Sequence, residues 1–216
     1  MISRVFILVV AIVWFFSSQK TEAQNVSEAN FLNDFEKQVL VEMNKVRANP
    51  AKYAEEFLTP MQNAYDGKLL RMPGAIPLKT QEGKKALLEC IREMKKTSPL
   101  PLLSPSEGLS QAANLLVKDQ GKSGKVGHTG NKGSTPQTRV EQRGKWDVKL
   151  AENIAYGNQS PRRVVISLLI DDGVPSRSHR KNILDKAFKT IGIATGSHPN
   201  YGNMCVMEMA GSFQEK

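Results

Sequence analysis

The sequence predicts an α+β fold in which helices pack against a small antiparallel sheet. Apolar residues recur at helical spacing through the first half of the chain, and strand-like apolar runs appear only in the second half. Strands and helices do not alternate regularly, which argues against a parallel, doubly wound sheet. No internal repeat or long linker interrupts residues 34–216, so we expect one domain there.

The first 23 residues have the pattern of a secretory signal peptide. Arg4 precedes an uncharged apolar run from Val5 to Phe16, and a polar stretch then leads to Ala23. The run is shorter than the ~20 residues of a membrane span. We therefore expect cleavage after Ala23, secretion, and a flexible lead-in over residues 24–33, with an uncleaved anchor as the alternative.

The chain is basic, with 30 Lys and Arg against 21 Asp and Glu and a formal net charge of +9. Removing residues 1–23 takes away two basic side chains and one acidic one, which leaves +8. This balance favours anionic surfaces such as lipid or acidic glycan. A nucleic-acid partner is not expected, because the lysines are not interleaved with aromatic residues and the protein is exported.

Four helices are predicted in the first half. The first begins near Phe35, and Asn49 and Pro50 begin the second as N-cap and first helical residue. Residues 59–79 are rich in Pro, Gly, Asn and Asp and are predicted to form a loop. A third helix is predicted over Thr80 to Met94.

The fourth helix introduces the loop that carries the first histidine of interest. Ser104 and Glu107 predict a capping box, with proline at the first helical position and a helix that continues to Gln120. Residues 121–133 are rich in glycine and lysine and are predicted to form a loop that holds His128.

The second half mixes helices with strands. In chain order we expect a helix from Thr135 to Gly144, a strand from Val148 to Gly157, a helix from Ser160 to Gly173, and strands from Lys189 to Thr195 and Met204 to Phe213, separated by a turn.

Two of the three histidines and two carboxylates form a candidate site: His128, Glu152, Asp171 and His179. Imidazole titrates near neutral pH and is the commonest metal ligand. Together with carboxylates it suits zinc or another borderline divalent ion. No local His-Glu-x-x-His spacing is present, so tertiary structure must assemble any such site.

The same residues could serve acid–base hydrolysis, with Glu152 as the candidate general base. The sequence has no Gly-x-Ser-x-Gly elbow, and Ser178 beside His179 is no evidence for a nucleophile. Glu152 stands in an apolar strand and so requires a partner. Glu208 on the last strand is a rival second acid, and His198 is expected to be a turn residue without a role.

Cys90 and Cys205 leave two alternatives open. Export permits a disulfide, which would tie the helical half to a C-terminal strand, but two buried free thiols are equally compatible with the sequence. Asn25 and Asn158 stand in Asn-X-Ser sequons and are candidate glycosylation sites, although the proline that follows the second sequon makes it a poor acceptor.

Four motifs, in this order, resemble the CAP superfamily of cysteine-rich secretory proteins, antigen 5 and pathogenesis-related proteins, and in particular its SCP-like extracellular branch. They are Asn44 to Pro50, Gly127 to Thr129, Ala151 to Gly157, and His179 to Leu184. The resemblance spans roughly Phe35 to Phe213. It implies a three-layer α-β-α sandwich with a small central antiparallel sheet. It also implies a cleft with two histidines and two acids, which in several members holds zinc or another divalent cation.

By motif, His128 and His179 match the two histidines and Glu152 matches the first acid. The second acid usually follows a tryptophan, which is missing here, and Asp171 stands where glutamate is common. This shorter side chain raises the hypothesis that it reaches the cleft only through water. The resemblance assigns no function to residues 59–103, which are longer than expected.

The resemblance favours a secreted binding module that holds a divalent cation such as Zn²⁺ and binds a lipid, sterol, glycan or protein ligand. One alternative is a metal-assisted, peptidase-like hydrolase that uses Glu152 as general base. Another is a protein in which histidine–acid pairs only hold loops in place. No integral membrane segment is expected after removal of residues 1–23.

Overall fold

The computed structural model describes residues 26–74, 76–157 and 160–216. From residue 34 onwards the helices are α1 (Asp34–Ala48), α2 (Pro50–Tyr53), α3 (Lys84–Met94), α4 (Glu107–Ser123), α5 (Pro136–Glu141), α6 (Pro161–Ile170) and α7 (Ser178–Ile183). The strands are β1 (Tyr65–Asp66), β2 (Leu69–Leu70), β3 (Leu78–Lys79), β4 (Ser104–Pro105), β5 (Gly144–Tyr156), β6 (Thr190–His198) and β7 (Gly202–Glu215). A π-helical turn (Ala54–Leu58) and 3₁₀ turns (Thr59–Ala64 and Asn131–Gly133) complete these elements.

A four-stranded sheet of order β4-β6-β7-β5 lies between two helical layers. Strand β4 pairs parallel with β6, and the other pairs are antiparallel. Helix α4 packs on β6 and β7 and α5 packs on β5, whereas α1, α6 and α7 contact strands of the sheet from the other side. The α-β-α sandwich that the resemblance implies is therefore confirmed.

Side chains alternate along β7 and build a core on each face of the sheet. Cys205, Met207 and Met209 join the core shared with α1, α3 and α6. Val206 packs toward α4. Cys90 projects from α3 into the first core, and both cysteines are buried free thiols. Burial raises the pKa of the Cys90 thiol to about 12, and it raises the pKa of the Cys205 thiol as well. Both thiols therefore stay protonated and serve as small apolar core residues.

The motif Asn44 to Pro50, the first of the four that carry the resemblance, has a structural role. Asn44 Oδ1 accepts the Leu103 amide at 2.8 Å, and its Nδ2 donates to the Leu103 carbonyl at 3.0 Å. Arg47 is fully buried, and its guanidinium donates to the carbonyls of Pro101, Ile183, Asp185 and Phe188. Helix α1 is thereby tied to the chain that precedes β4 and to the chain that follows α7.

The predicted capping box at the start of α4 is wrong. Ser104 belongs to β4, and the amide of Ser106 donates to the Ile191 carbonyl at 2.9 Å, because this short segment pairs with β6. Ser106 is the actual N-cap, and it accepts the Leu109 amide at 3.2 Å. Local propensity favoured a helix two residues earlier, but sheet pairing decided the boundary.

Residues 59–79 are not the structureless loop that their composition predicts. A 3₁₀ turn leads into the antiparallel sheet β1-β2-β3, whose strands are two residues long and too short to show alternation in the sequence. The next helix begins at Lys84 rather than at Thr80, because Gly83 has a φ of +63° and interrupts the helical backbone.

The predicted signal peptide over residues 1–23 and the sequon asparagines Asn25 and Asn158 lie outside the described residues. Over the three described ranges, every helix is too short or too polar to cross a bilayer.

Candidate functional site

The four predicted site residues form two separate histidine–carboxylate pairs. His128 Nδ1 lies 2.7 Å from Glu152 Oε1, and His179 Nδ1 lies 2.7 Å from Asp171 Oδ1. The side chains of Glu152 and Asp171 are 1% and 2% exposed, whereas those of His128 and His179 are 52% and 20% exposed. In each pair a buried carboxylate holds Nδ1, and Nε2 has no hydrogen-bond partner among the described residues.

Arg139 holds the first pair in place from α5. Its Nη2 donates to Glu152 Oε2 at 2.5 Å, and its Nη1 donates to the His128 carbonyl at 3.2 Å. One buried guanidinium thus fixes both the carboxylate and the backbone that carries its imidazole partner.

The glycine before His128 is also clamped by side chains. The Tyr156 hydroxyl accepts the Gly127 amide at 3.0 Å, and Gln120 Nε2 donates to the Gly127 carbonyl at 2.6 Å. The same tyrosine hydroxyl donates to Gln120 Oε1 at 2.8 Å. These contacts, from α4 and β5, make the predicted loop an ordered support for the exposed imidazole.

Glu208 is the second carboxyl beside Arg139. It lies directly opposite Glu152 in the β5–β7 ladder, is fully buried, and has one oxygen 3.7 Å from Arg139 Nη2. Burial and the neighbouring Glu152 carboxylate raise the pKa of Glu208 well above its usual range. As the rival acid of the sequence analysis, it therefore joins Glu152 and Arg139 rather than a histidine.

Asp171 binds the second histidine directly. It ends α6 in the left-handed region, at φ 56° and ψ 42°, which aspartate tolerates better than most residues. Its Oδ2 accepts the backbone amide of His179 at 2.9 Å, and so also caps the start of α7. The hypothesis that Asp171 reaches the site only through water does not hold for His179, because the two side chains are in direct contact.

The two pairs lie on opposite faces of the edge strand β5. Glu152 points toward α5, whereas the next residue, Asn153, donates to the His179 carbonyl at 3.1 Å and accepts from Asn182 at 2.8 Å. Across the described ranges, no three His, Cys, Asp or Glu side chains are placed to hold one metal ion. The arrangement therefore offers two imidazoles and no four-residue ligand set.

This geometry limits the chemistry available. A carboxylate on Nδ1 fixes the imidazole tautomer and strengthens Nε2 as a donor to a cation, as carboxylates hydrogen-bonded to histidine ligands do in metal sites. Glu152 has one oxygen on His128 and the other on Arg139, so both of its oxygens are already engaged in the protein. The pairs suit binding better than proton abstraction by Glu152.

Two of the supporting residues could have been found in the sequence. Asn153 and Asn182 stand inside the motifs that carry the resemblance, and their mutual contact shows why those motifs occur together. Arg139 lies outside every motif, and nothing in its local sequence indicates a buried guanidinium. His198 was predicted to be a turn residue, but it is the last residue of β6 and is buried. Its Nε2 lies 2.9 Å from the Lys125 carbonyl oxygen.

A second feature lies away from the histidines. A groove of about 1260 Å³ runs between α1, α6 and the 56–81 segment, and none of the four predicted site residues lines it. Its apolar lining includes Val41, Phe57, Met61, Leu70, Ile166 and Ile170. Residues 59–79 therefore build one wall of a cavity that was not predicted from the sequence.

One rim of the groove is charged. Glu42 accepts from Arg162 Nε at 2.6 Å and from the Tyr53 hydroxyl at 2.8 Å, and Lys45 lies 3.4 Å away. Burial alone would raise the pKa of Glu42, but the Arg162 and Tyr53 hydrogen bonds outweigh it and lower the pKa. Arg163 and Glu56 also line the groove, so three cations and two carboxylates lie at this rim.

Comparison with known proteins gives the family. A search of curated proteins finds no match. An outer surface protein of Borrelia burgdorferi is 20% identical, with a TM-score of 0.43 over 60% of this chain and 89% of that one. An extracellular SCP-domain protein of Bacillus anthracis is 19% identical, with a TM-score of 0.37 over 58% of this chain and 37% of that one. The model of the CAP cysteine-rich secretory protein family matches residues 42–209, and the chain belongs to that family.

Proposed function

We propose that this protein is a secreted binding module that carries a single-chain acidic lipid in the groove between α1 and α6. The observation behind the proposal is the groove itself, which has a volume of about 1260 Å³ and a mostly apolar lining. Ligand sites are typically apolar cavities with a few placed polar groups. An acyl chain matches the lining provided by Val41, Phe57 and Ile166.

The charged rim favours an acidic head group. Arg162 lies over the Phe57 ring, with its guanidinium carbon 4.0 Å from the ring centroid, and it also pairs with Glu42. Arg163 and Lys45 add two further cations at the same edge, and the Lys45 side chain is 51% exposed. A carboxylate at the rim would thus meet more positive than negative charge.

Titration of delipidated protein with a fluorescent fatty acid tests this proposal. We expect saturable binding, displaced by unlabelled fatty acid, and a loss of at least about tenfold in affinity in Ile166→Trp, whose larger ring fills the groove. Arg163→Glu should weaken a fatty acid more than its uncharged alcohol. His179→Ala is the matched control and should bind normally. Wild-type protein without saturable binding would disprove the proposal.

A second candidate function, divalent cation binding, rests on the two histidine–carboxylate pairs. Both pairs have the Nδ1–carboxylate contact that orients imidazole ligands in metal sites, and two imidazoles suit zinc. His128 and His179 would supply the ligand atoms, and Glu152 and Asp171 would orient them. Structural zinc sites use four protein ligands, so we expect weaker binding that a chelator reverses.

Calorimetric zinc titration of chelator-stripped protein separates this candidate from a purely structural role for the pairs. Saturable zinc binding in the wild type that falls by one site in His179→Ala would establish that the pairs bind the ion. If neither protein gives heat, the pairs act only as supports for the 121–133 loop and α7.

A further inference from the structure

The chain that enters β3 presents two exposed apolar side chains at the edge of the groove. Ile76 is 92% exposed and Leu78 is 60% exposed, and they lie two residues apart where the chain enters β3. Pro73 and Pro77 flank Ile76, and proline carries no backbone amide that would require a hydrogen bond in an apolar medium. Large apolar side chains exposed together mark interaction sites.

Basic residues lie in the segments that adjoin this apolar surface. Four exposed lysines belong to the adjoining segments: Lys68 in the β1–β2 turn, Lys79 in β3, and Lys84 and Lys85 at the start of α3. Within the described part of the chain none of their ammonium groups forms an ion pair. The nearby acids are engaged, since Asp66 pairs with Arg71 at 3.3 Å and Glu82 pairs with Arg177 at 2.6 Å.

The base of this small sheet is firmly attached to the domain. The Thr80 amide and hydroxyl both donate to the Lys68 carbonyl at 2.7 Å. The amides of Gln81 and Glu82 donate to the two oxygens of Asp172, at 2.6 and 2.8 Å. Strand β3, which carries Leu78, is therefore firmly anchored at its C-terminal end.

The lysines and the start of β1-β2-β3 are also close in space. A Cβ on Gly83 would come within 2.8 Å of the Gly67 carbonyl oxygen and 3.7 Å of the Lys68 Cα, so the start of α3 packs on the β1–β2 turn. Lys84 and Lys85 follow immediately. The apolar pair and the lysines thus belong to one continuous region.

We propose that this protein docks on anionic lipid bilayers through Ile76 and Leu78, with Lys68, Lys79, Lys84 and Lys85 contacting acidic head groups. Apolar insertion combined with basic contacts is the general physics of peripheral membrane binding. An anionic bilayer suits both the apolar pair and the unpaired lysines, because it combines an apolar interior with acidic head groups.

Docking in this orientation bears on the groove, because Ile76, Leu78 and Lys79 also line it. A lipid could then pass between bilayer and groove without crossing water. This consequence rests on the proposed lipid-binding function, but the docking itself does not.

Vesicle co-sedimentation tests the proposal with the full mature chain. We expect binding to vesicles of phosphatidylcholine and phosphatidylglycerol, little binding to phosphatidylcholine alone, and release at high salt. Ile76→Ser with Leu78→Ser, and separately Lys68→Glu with Lys84→Glu, should each lower vesicle partitioning by about tenfold or more. Lys118→Glu with Lys122→Glu, on the exposed side of α4, is the charge-matched control and should leave partitioning nearly unchanged.

The groove variant Ile166→Trp separates this proposal from the lipid-carrier function. It should still bind anionic vesicles while losing the soluble fatty acid, and the lysine variant should do the reverse. Wild-type partitioning by the folded apolar and lysine variants, or equal binding to neutral and anionic vesicles, would overturn the docking proposal. Failure of fatty-acid binding alone would overturn only the carrier function.

Discussion

At the scale of single residues, two glutamates that face each other across β5 and β7 have opposite roles. Glu152 and Glu208 are both buried beside Arg139, and one guanidinium compensates only one of them well. Glu152 takes that ion pair, and the pKa of Glu208 is therefore raised by burial and by its neighbour's charge. Because Glu208 keeps its proton more readily, the two facing carboxyl groups do not both carry a negative charge.

This arrangement predicts that Glu208→Gln stabilises the protein at neutral pH. A raised folded-state pKa gives stability that is fully present below the unfolded-state value, about 4.3, and is lost as pH rises through the folded-state pKa. Glutamine imitates the protonated acid at every pH. Thermal unfolding from pH 4 to 8 should show a downward slope in the wild type that the variant lacks. A less stable variant at pH 8 would contradict this view of Glu208.

The companion substitution, Glu152→Gln, should lower the stability only slightly, because Glu208 can take over the ion pair with Arg139. Without the Glu152 charge, Glu208 can ionise and become the counterion of Arg139, whose Nη2 lies 3.7 Å away. The double substitution leaves a buried guanidinium without any carboxylate, which costs about 3–5 kcal/mol. Urea unfolding of both single variants and the double variant should therefore show a loss larger than the sum of the single effects. Additive effects would mean that Glu208 cannot replace Glu152.

At the scale of elements, the packing of α4 on the sheet depends on a glycine in β6. A Cβ on Gly192 would overlap the backbone carbon of Leu109 and the amide nitrogen of Ser110. Helix backbone therefore rests directly on strand backbone. No flexible side chain is available at this contact to move aside.

We expect Gly192→Ala to cost more than about 3 kcal/mol, beyond ordinary overpacking, because the helix itself must shift. Gly202→Ala is the matched control. Gly202 has a φ of +79° and open space around its Cβ position, so alanine there should cost only about 1–2 kcal/mol of backbone strain. Equal losses in chemical denaturation would show that the α4 contact yields easily.

Elements with a long pattern or a clear start signal were predictable, and those set by tertiary pairing were not. Asn49 and Pro50 begin α2 as expected, because capping is a local effect. Helix α4 begins at Glu107, later than predicted, because the preceding residues form hydrogen bonds with β6 and the residue before it. The β1-β2-β3 sheet escaped prediction because two-residue strands carry no periodicity.

The site shows the same limit. His128, Glu152, Asp171 and His179 were identifiable from motifs, and each forms a real side-chain contact. Their division into two pairs was not identifiable, because it follows from the placement of Glu152 and Asn153 on opposite faces of an edge strand. Sequence order contains no information on which face of the sheet a distant helix covers.

At the scale of the whole molecule, Arg177 connects the β1-β2-β3 sheet with the second histidine–carboxylate pair. Its guanidinium contacts both oxygens of Glu82, at the base of the β1-β2-β3 sheet, and both oxygens of Glu89 in α3. It also donates to the Asp171 carbonyl at 2.9 Å, beside the second histidine pair. The β1-β2-β3 sheet and α7 are thus held by one side chain.

This connection should weaken in acid. Hydrogen bonds from Arg177 and from the Gly173 amide lower the pKa of Glu82 to about 2. A depressed folded-state pKa gives stability that is present above the unfolded-state value, about 4.3, and is lost as pH falls toward the folded-state value. The Glu82 contribution therefore disappears between about pH 4 and pH 2, a window below the one assigned to Glu208.

We expect Arg177→Met to remove most of this acid dependence. The variant should be less stable than the wild type at pH 5, and the difference between the two should narrow as pH falls toward 2, because protonated Glu82 no longer attracts a guanidinium. Melting temperatures measured across this range provide the test, and pepsin cleavage within residues 65–80 reports release of the sheet. Lys118→Met is the matched control, since Lys118 is exposed and forms no ion pair in the described ranges. Parallel curves for wild type and Arg177→Met would show that the Glu82 contact does not hold the β1-β2-β3 sheet to the domain.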